Sequence, residues 1–153
     1  MTGDTAGAAQ GAALVMPPDQ VAALTTDQIE ALTTEQIQVM KTMLVNALTT
    51  AQLQVFSTGQ MGALTSAQLG AMSTEQLASI KSNLMVALNT GALAGLGSDQ
   101  IQSLSPAQIG QMSSQQIRAL STTQIAAIAT DDLSGITARQ LAAMTTAQVA
   151  AFT

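Results

Sequence analysis

The sequence has no cysteine and no histidine. That removes disulfides, thiol chemistry, Cys/His zinc sites and the usual general base together. Tyrosine and tryptophan are missing too, and only Phe56 and Phe152 are aromatic. Any core must therefore be built from Leu, Ile, Val, Met and Ala, which bury less area per residue than aromatic rings do. The basic residues are four, Lys41, Lys81, Arg118 and Arg139, and they form no patch. Nucleic acid is held by several cations neutralising phosphates, so it is excluded as a partner. An anionic membrane surface is disfavoured for the same reason. No apolar run is long enough to span a bilayer, so no transmembrane segment is expected. The opening "MTGDTAGAAQGAALVMPPDQ" lacks a positive n-region and does not read as a cleavable secretory signal. Residues 1–15 are expected to be a flexible Ala/Gly-rich segment.

Apolar residues make up 47% of the chain and the net charge is −5, a balance that argues against disorder. Every eighth residue from Met16 to Phe152 is apolar, without a slip. A second apolar residue stands three places before each, as at Ile29 before Leu32 and Leu69 before Met72. The consensus is [Ser/Thr]-x-x-Gln-[Ile/Leu]-x-Ala-Leu, and its positions are numbered 1 to 8 below.

A continuous α-helix turns through about 800° in eight residues, so the apolar pair would rotate about 80° with each octad. Coiled coils use periods of seven or eleven. The helix must therefore stop and restart. Ser/Thr-x-x-Gln is a capping box, in which the hydroxyl accepts from the backbone three residues on and the glutamine reaches back. The sequence assigns this structural role to Thr25 with Gln28, Thr33 with Gln36, Thr49 with Gln52, Thr65 with Gln68, and Ser105 with Gln108. The apolar residue before each cap pairs with position 5 as a hydrophobic staple. Pro106 stands at the first helical position, where its missing N–H is harmless. Asp27, Glu35 and Glu75 fall in first turns, where the helix dipole favours negative charge.

Helices this short do not stand alone in water. They must stack, which makes residues 16–153 one all-α solenoid. A β-solenoid is the alternative, but the 3/5 apolar spacing would send the two apolar positions to opposite faces of a strand. A slower repeat aligns residues 25–64, 65–104 and 105–144 as blocks of five octads. At Lys41 and Lys81 both the hydroxyl and the glutamine are missing. Two octads are therefore expected to fuse into a longer helix near 34–47 and again near 74–88.

Chemistry is sparse. No catalytic, cofactor-binding or metal-ligating residues are expected, and no cofactor. There is no Gly-x-Ser-x-Gly elbow, phosphate loop or dinucleotide fingerprint. Asp131-Asp132 is the one adjacent carboxylate pair. It could be a weak calcium ligand pair, but a calcium site takes six to eight oxygens, and a modified helix start is the preferred reading. The methionines fall mainly on the apolar positions and read as core filler. Repeated threonines could order water on a flat face, as in ice-binding proteins, although the first of each pair is committed to capping.

Leu104-Ser105-Pro106-Ala107-Gln108-Ile109 resembles the opening of transcription-activator-like effector repeats. That family has a much longer period and grips DNA with basic residues. Period and charge differ here, so the likeness is one of shared capping. Over residues 16–153, phrases such as "LTTDQIEALTTEQI" resemble the "LTTAQIAAL"-type octapeptide tracts of very large bacterial repeat proteins, labelled as adhesins or haem-utilisation proteins. The resemblance implies a secreted or cell-surface assembly. With no catalytic site the expected role there is a non-enzymatic spacer or scaffold, and the regular face and unfinished ends suggest self-association into filaments, with other surface proteins as the alternative partners. A binding module for protein, glycan or ice is the alternative. It implies an extracellular or cell-surface place in a bacterium, with the cytoplasm as the alternative. The calcium-binding nonapeptides of secreted relatives are absent, and so are His, Cys and Tyr haem ligands.

Overall fold

The computed structural model describes residues 16–152. The expected flexible segment, 1–15, lies outside them. The described chain is a helical solenoid without strands, in which each of the seventeen octads between 17 and 152 holds one short helical element. In order these are α1 (Pro18–Ala22), α2 (Thr26–Glu30), α3 (Thr34–Val39), α4 (Thr42–Ala47), α5 (Thr50–Gln54), α6 (Thr58–Gly62), α7 (Ser66–Ala71) and α8 (Thr74–Ser79). A 3-10 helix, η1 (Ser82–Ala87), precedes α9 (Thr90–Leu93), α10 (Ser98–Gln102), α11 (Pro106–Gln111), α12 (Ser114–Ala119) and α13 (Thr122–Ala126). A second 3-10 helix, η2 (Thr130–Gly135), is followed by α14 (Ala138–Ala143) and α15 (Thr146–Ala150).

The corners explain the period. Position 8 and the following position 1 are both extended, as at Met72 (φ −71°, ψ 145°) and Ser73 (φ −73°, ψ 160°). Two extended residues redirect the chain and leave the capping hydroxyl facing the next helix start. Among the described residues none has a positive φ, so the corners require no glycine or asparagine. Position 8 fills the inside of the corner: Leu48, Leu64, Met72 and Ile80 are all buried.

The two expected long helices do not form. Met40 (ψ 132°) and Lys41 (ψ 146°) are extended between α3 and α4, and Ile80 (ψ 130°) and Lys81 (ψ 134°) are extended between α8 and η1. Burial of Met40 and Ile80 at the corner keeps the bend where no cap signals it. What the missing hydroxyl changes is the first turn. The position 4 N–H then goes to the carbonyl three residues back: Leu44 to Lys41 and Leu84 to Lys81 at 2.9 Å, Asp132 to Ala129 at 2.9 Å. That is the 3-10 pattern, and two of the uncapped octads adopt it throughout, as η1 and η2.

Stacking follows one rule. Each element packs on the third one along: α1 on α4, α2 on α5, α6 on η1, α11 on η2, α12 on α14 and α13 on α15. One coil therefore takes between three and four octads. The core runs unbroken from Val21 to Ile128, with a Leu, Ile, Val or Met from each coil laid on the next. At the roughly 9 Å spacing of packed helices, about five coils give a rod on the order of 45 Å long.

Candidate functional site: the glutamine ladder and the corner grooves

Position 4 carries the most connected side chain of the repeat. At the helix starts named from the sequence, the Thr25, Thr33, Thr49 and Thr65 hydroxyls each accept from the backbone N–H of Gln28, Gln36, Gln52 and Gln68 at 3.2 Å. Ser105 accepts from Gln108 at the same distance. In return each glutamine Oε1 accepts from the cap's own N–H at 2.8 Å. The box recurs at Ser57, Ser73, Ser113, Ser121, Thr137 and Thr145. Gly97 keeps half of it, donating its N–H to Gln100 Oε1 at 2.8 Å.

The other end of the glutamine amide does different work. Gln68 Nε2 donates to the carbonyls of Ile37 at 2.6 Å and Met40 at 2.7 Å. Gln76 does the same with Val45 and Leu48, Gln100 with Leu69 and Met72, and Gln140 with Ile109 and Met112. The rule is constant: a position 4 amide reaches positions 5 and 8 of the octad four before it. The position 8 carbonyl is one of the acceptors left over at a helix C-terminus, whereas the position 5 carbonyl already accepts from the position 8 N–H, as Ile37 does from Met40 at 3.2 Å, and gains a second donor. One side chain thus starts its own helix and ends a helix of the preceding coil. Ten such glutamines are buried, and among the described residues no buried side-chain polar atom lacks a partner.

This second role is not contained in a capping box. The signal for it was in the sequence all the same. A box takes Glu or Gln alike, yet position 4 holds Gln thirteen times and Glu never, while Glu occurs at positions 3 and 6. Only the amide can both accept at the cap and donate to carbonyls.

Four octads lack the glutamine, with Leu44, Leu84, Ala92 and Asp132 in its place. In the last two the coil closes more tightly. A Cβ on Gly95 would collide with the Ser66 backbone, and one on Gly135 with the Pro106 backbone, in each case a neighbour from the preceding coil. Gly70 and Gly110 face the same contacts from the other side: a Cβ on either would lie 2.8 or 2.9 Å from the Gly95 or Gly135 carbonyl oxygen. The five-octad super-repeat is thus visible as a pair of close backbone approaches.

On the outside, the corners leave shallow open grooves. One of about 550 Å³ is lined by Ser113, Ser114, Gln115, Thr137 and Arg139. One of about 320 Å³ is lined by Asn46, Thr49, Thr50, Ser73 and Glu75. The two occupy equivalent places: an octad corner facing positions 1 and 3 of an octad in the next coil. They differ in charge, with Arg139 in the first where Glu75 stands in the second. Asp131 is exposed and Asp132 half-buried in η2, and no group of three or more metal-ligating side chains occurs among the described residues. No helix there is long and apolar enough to cross a membrane.

A family model, the ALTTAQ repeat, matches residues 16–42, 45–82 and 77–114. The chain belongs to the ALTTAQ repeat family. Ala47-Leu48-Thr49-Thr50-Ala51-Gln52 spells the family's phrase letter for letter. In the structure that phrase is a corner: the small position 7, buried Leu48, the capping Thr49, and Gln52, which ties the corner to the coil before it. The ALTTAQ phrase therefore encodes the joint of the solenoid rather than any one helix. Searches of curated proteins and of solved structures each returned no match.

Proposed function

We propose that this ALTTAQ repeat chain is a non-enzymatic structural segment, a spacer or scaffold of a bacterial secreted or cell-surface assembly. One observation carries the reading. The recurrent polar side chain is spent inside, on tying each coil to the one before, which makes a stiff rod whose length is set by the number of octads. The outer surface carries hydroxyls, a few scattered charges and isolated exposed apolar residues such as Val39, Met43 and Val86, which suits a solvated stalk. The surface placement rests on the resemblance to octapeptide tracts of large bacterial repeat proteins.

The experiment is labelling of intact cells of the producing organism with an antibody to this chain, before and after external protease. Label that is present on intact cells and removed by protease supports the reading. Label seen only after cell rupture overturns the surface placement. A binding module is the second reading, favoured by the Arg139 groove alone. Capture of an acidic glycan by the wild-type chain and its loss in Arg139→Ala would select that reading over the spacer.

A further inference from the structure

The glutamine ties are not evenly spread. Each joins an octad to the fourth one before it, so a tie is lost wherever position 4 is not glutamine. Leu84 and Ala92 hold that position in two successive octads, 81–88 and 89–96. The octads they would be tied to are 49–56 and 57–64. There the position 8 residues, Phe56 and Leu64, are buried, and their carbonyls accept no hydrogen bond from the described residues. Leu84 is buried and adds apolar contact, but it offers those carbonyls no donor.

The neighbouring ties are all present. Gln68 and Gln76 hold octads 65–80 to octads 33–48, and Gln100 and Gln108 hold the next coil to octads 65–80. Gln52 and Gln60 hold octads 49–64 to octads 17–32. From above, Gln116 holds Met85 and Leu88, and Gln124 holds Leu93 and Leu96. One side of the rod, at 65–80, is therefore stitched above and below. The other side has an unstitched seam between 49–64 and 81–96. Octad 129–136, with Asp132, lacks a single tie and makes no such pair. Local structure is weak at the seam as well. Octad 81–88 has no side-chain cap and forms η1, whose 3-10 hydrogen bonds have poorer geometry, and octad 89–96 holds only the four-residue α9.

We propose that this seam is a hinge. The rod opens between octads 49–64 and 81–96 and bends about the stitched side at 65–80, where the Gly95 backbone stays against Ser66. Residues 81–96 move with the coil above, to which Gln116 and Gln124 bind them. Opening is sub-global: the stitched coils on either side keep their fold. A spacer built this way is stiff over most of its length and yields sideways at a set place. The hinge rests on the placement of the glutamines and not on where in or on a cell the rod stands.

The chain has no cysteine, so a single introduced thiol reports on one site. Position 5 side chains are covered by the coil that follows. Met61 lies under the seam, where α6 packs on η1, and Met85 lies under the stitched coil, where η1 packs on α11; both are fully buried. Met61→Cys and Met85→Cys are each treated with an aromatic disulfide reagent in native buffer, and the rate of thiol modification is read. Opening of the seam uncovers position 61 alone. Met61→Cys should react faster by about tenfold or more, the scale set by one or two missing buried hydrogen bonds. Lys81→Thr with Leu84→Gln restores the consensus and one tie, and should slow Met61→Cys toward the Met85→Cys rate. Leu53→Cys against Leu77→Cys is the second pair, used if a methionine variant loses its helical circular dichroism. Equal slow rates within a pair overturn the hinge, because the seam then stays shut. Equal fast rates overturn it too, because 81–96 then unfolds as a whole. So does a repaired octad that leaves the Met61→Cys rate unchanged.

Discussion

Gln68 Nε2 lies 2.7 Å from the carbonyl oxygen of Met40, a residue 28 positions earlier and one coil away. The same side chain accepts from the Thr65 N–H at 2.8 Å. Helix initiation and coil-to-coil attachment are thus one event in this chain. The amide is also buried, which raises its weight, because a buried acceptor left without a donor costs about 1–3 kcal/mol.

Gln68→Glu separates the two roles. The cap survives, but a buried carboxylate now faces the carbonyls of Ile37 and Met40. We expect a loss of about 3 kcal/mol or more near neutral pH, by the rule that a buried charge without a partner is strongly destabilising. Burial and the facing carbonyls raise the folded-state pKa of that glutamate above its unfolded value of about 4.3. The penalty is therefore present above the folded pKa and relieved as pH falls toward the unfolded one. Urea melts of wild type and variant at pH 7 and pH 4 check this, with the gap between them narrower at the lower pH.

Glycine substitutions should divide by place. Gly95→Ala puts a methyl into the Ser66 backbone and should destabilise by about 1–3 kcal/mol, the usual range for overpacking. Gly59→Ala should do the opposite. Gly59 lies inside α6 on the exposed surface, its Cβ would meet Thr34 Cγ2 at an ordinary 3.5 Å, and alanine is the better helix former by roughly 1 kcal/mol. Thermal melts of the two variants should move in opposite directions.

Deletions should obey the period. Removing octad 73–80 joins Met72 to Lys81 with every later residue still in phase, so a shorter rod should unfold cooperatively. Removing 73–76 alone puts position 4 residues where position 8 belongs and exposes the apolar pair over the remaining length. Stability in such arrays is a sum over units and their neighbours. Circular dichroism and urea unfolding should show a folded first variant and a collapsed helical signal in the second.

Much of the architecture was legible because each helix start is local. Thr25, Gln28 and Leu24 are close in sequence, so their roles follow from spacing and donor–acceptor chemistry. The bends at Met40 and Ile80 were not legible in that way. There the corner is held by burial against residues of other coils, which no local pattern near Lys41 or Lys81 announces. The glutamine bridge lay between these cases. Its partners sit a full coil away, beyond any local motif, yet the exclusive use of Gln over Glu at position 4 marks a side chain that must donate as well as accept. The close approach of Gly95 to Ser66 was hidden for the same reason as the bends, since the glycine answers a neighbour in the coil before it.

The central claim is that position 4 amides stitch successive coils, and solvent exchange of the glutamine side-chain Nε2 protons tests it most directly by nuclear magnetic resonance. The account predicts two classes on the dilute, monomeric chain. Gln52, Gln60, Gln68, Gln76, Gln100, Gln108, Gln116 and Gln124 should exchange slowly, with the protection of the rod itself. Gln20 and Gln28, which have no described coil before them, should exchange at the rate of free glutamine, as should Gln54 and Gln102 on the outer face. Uniformly fast exchange at all of these positions would contradict the account.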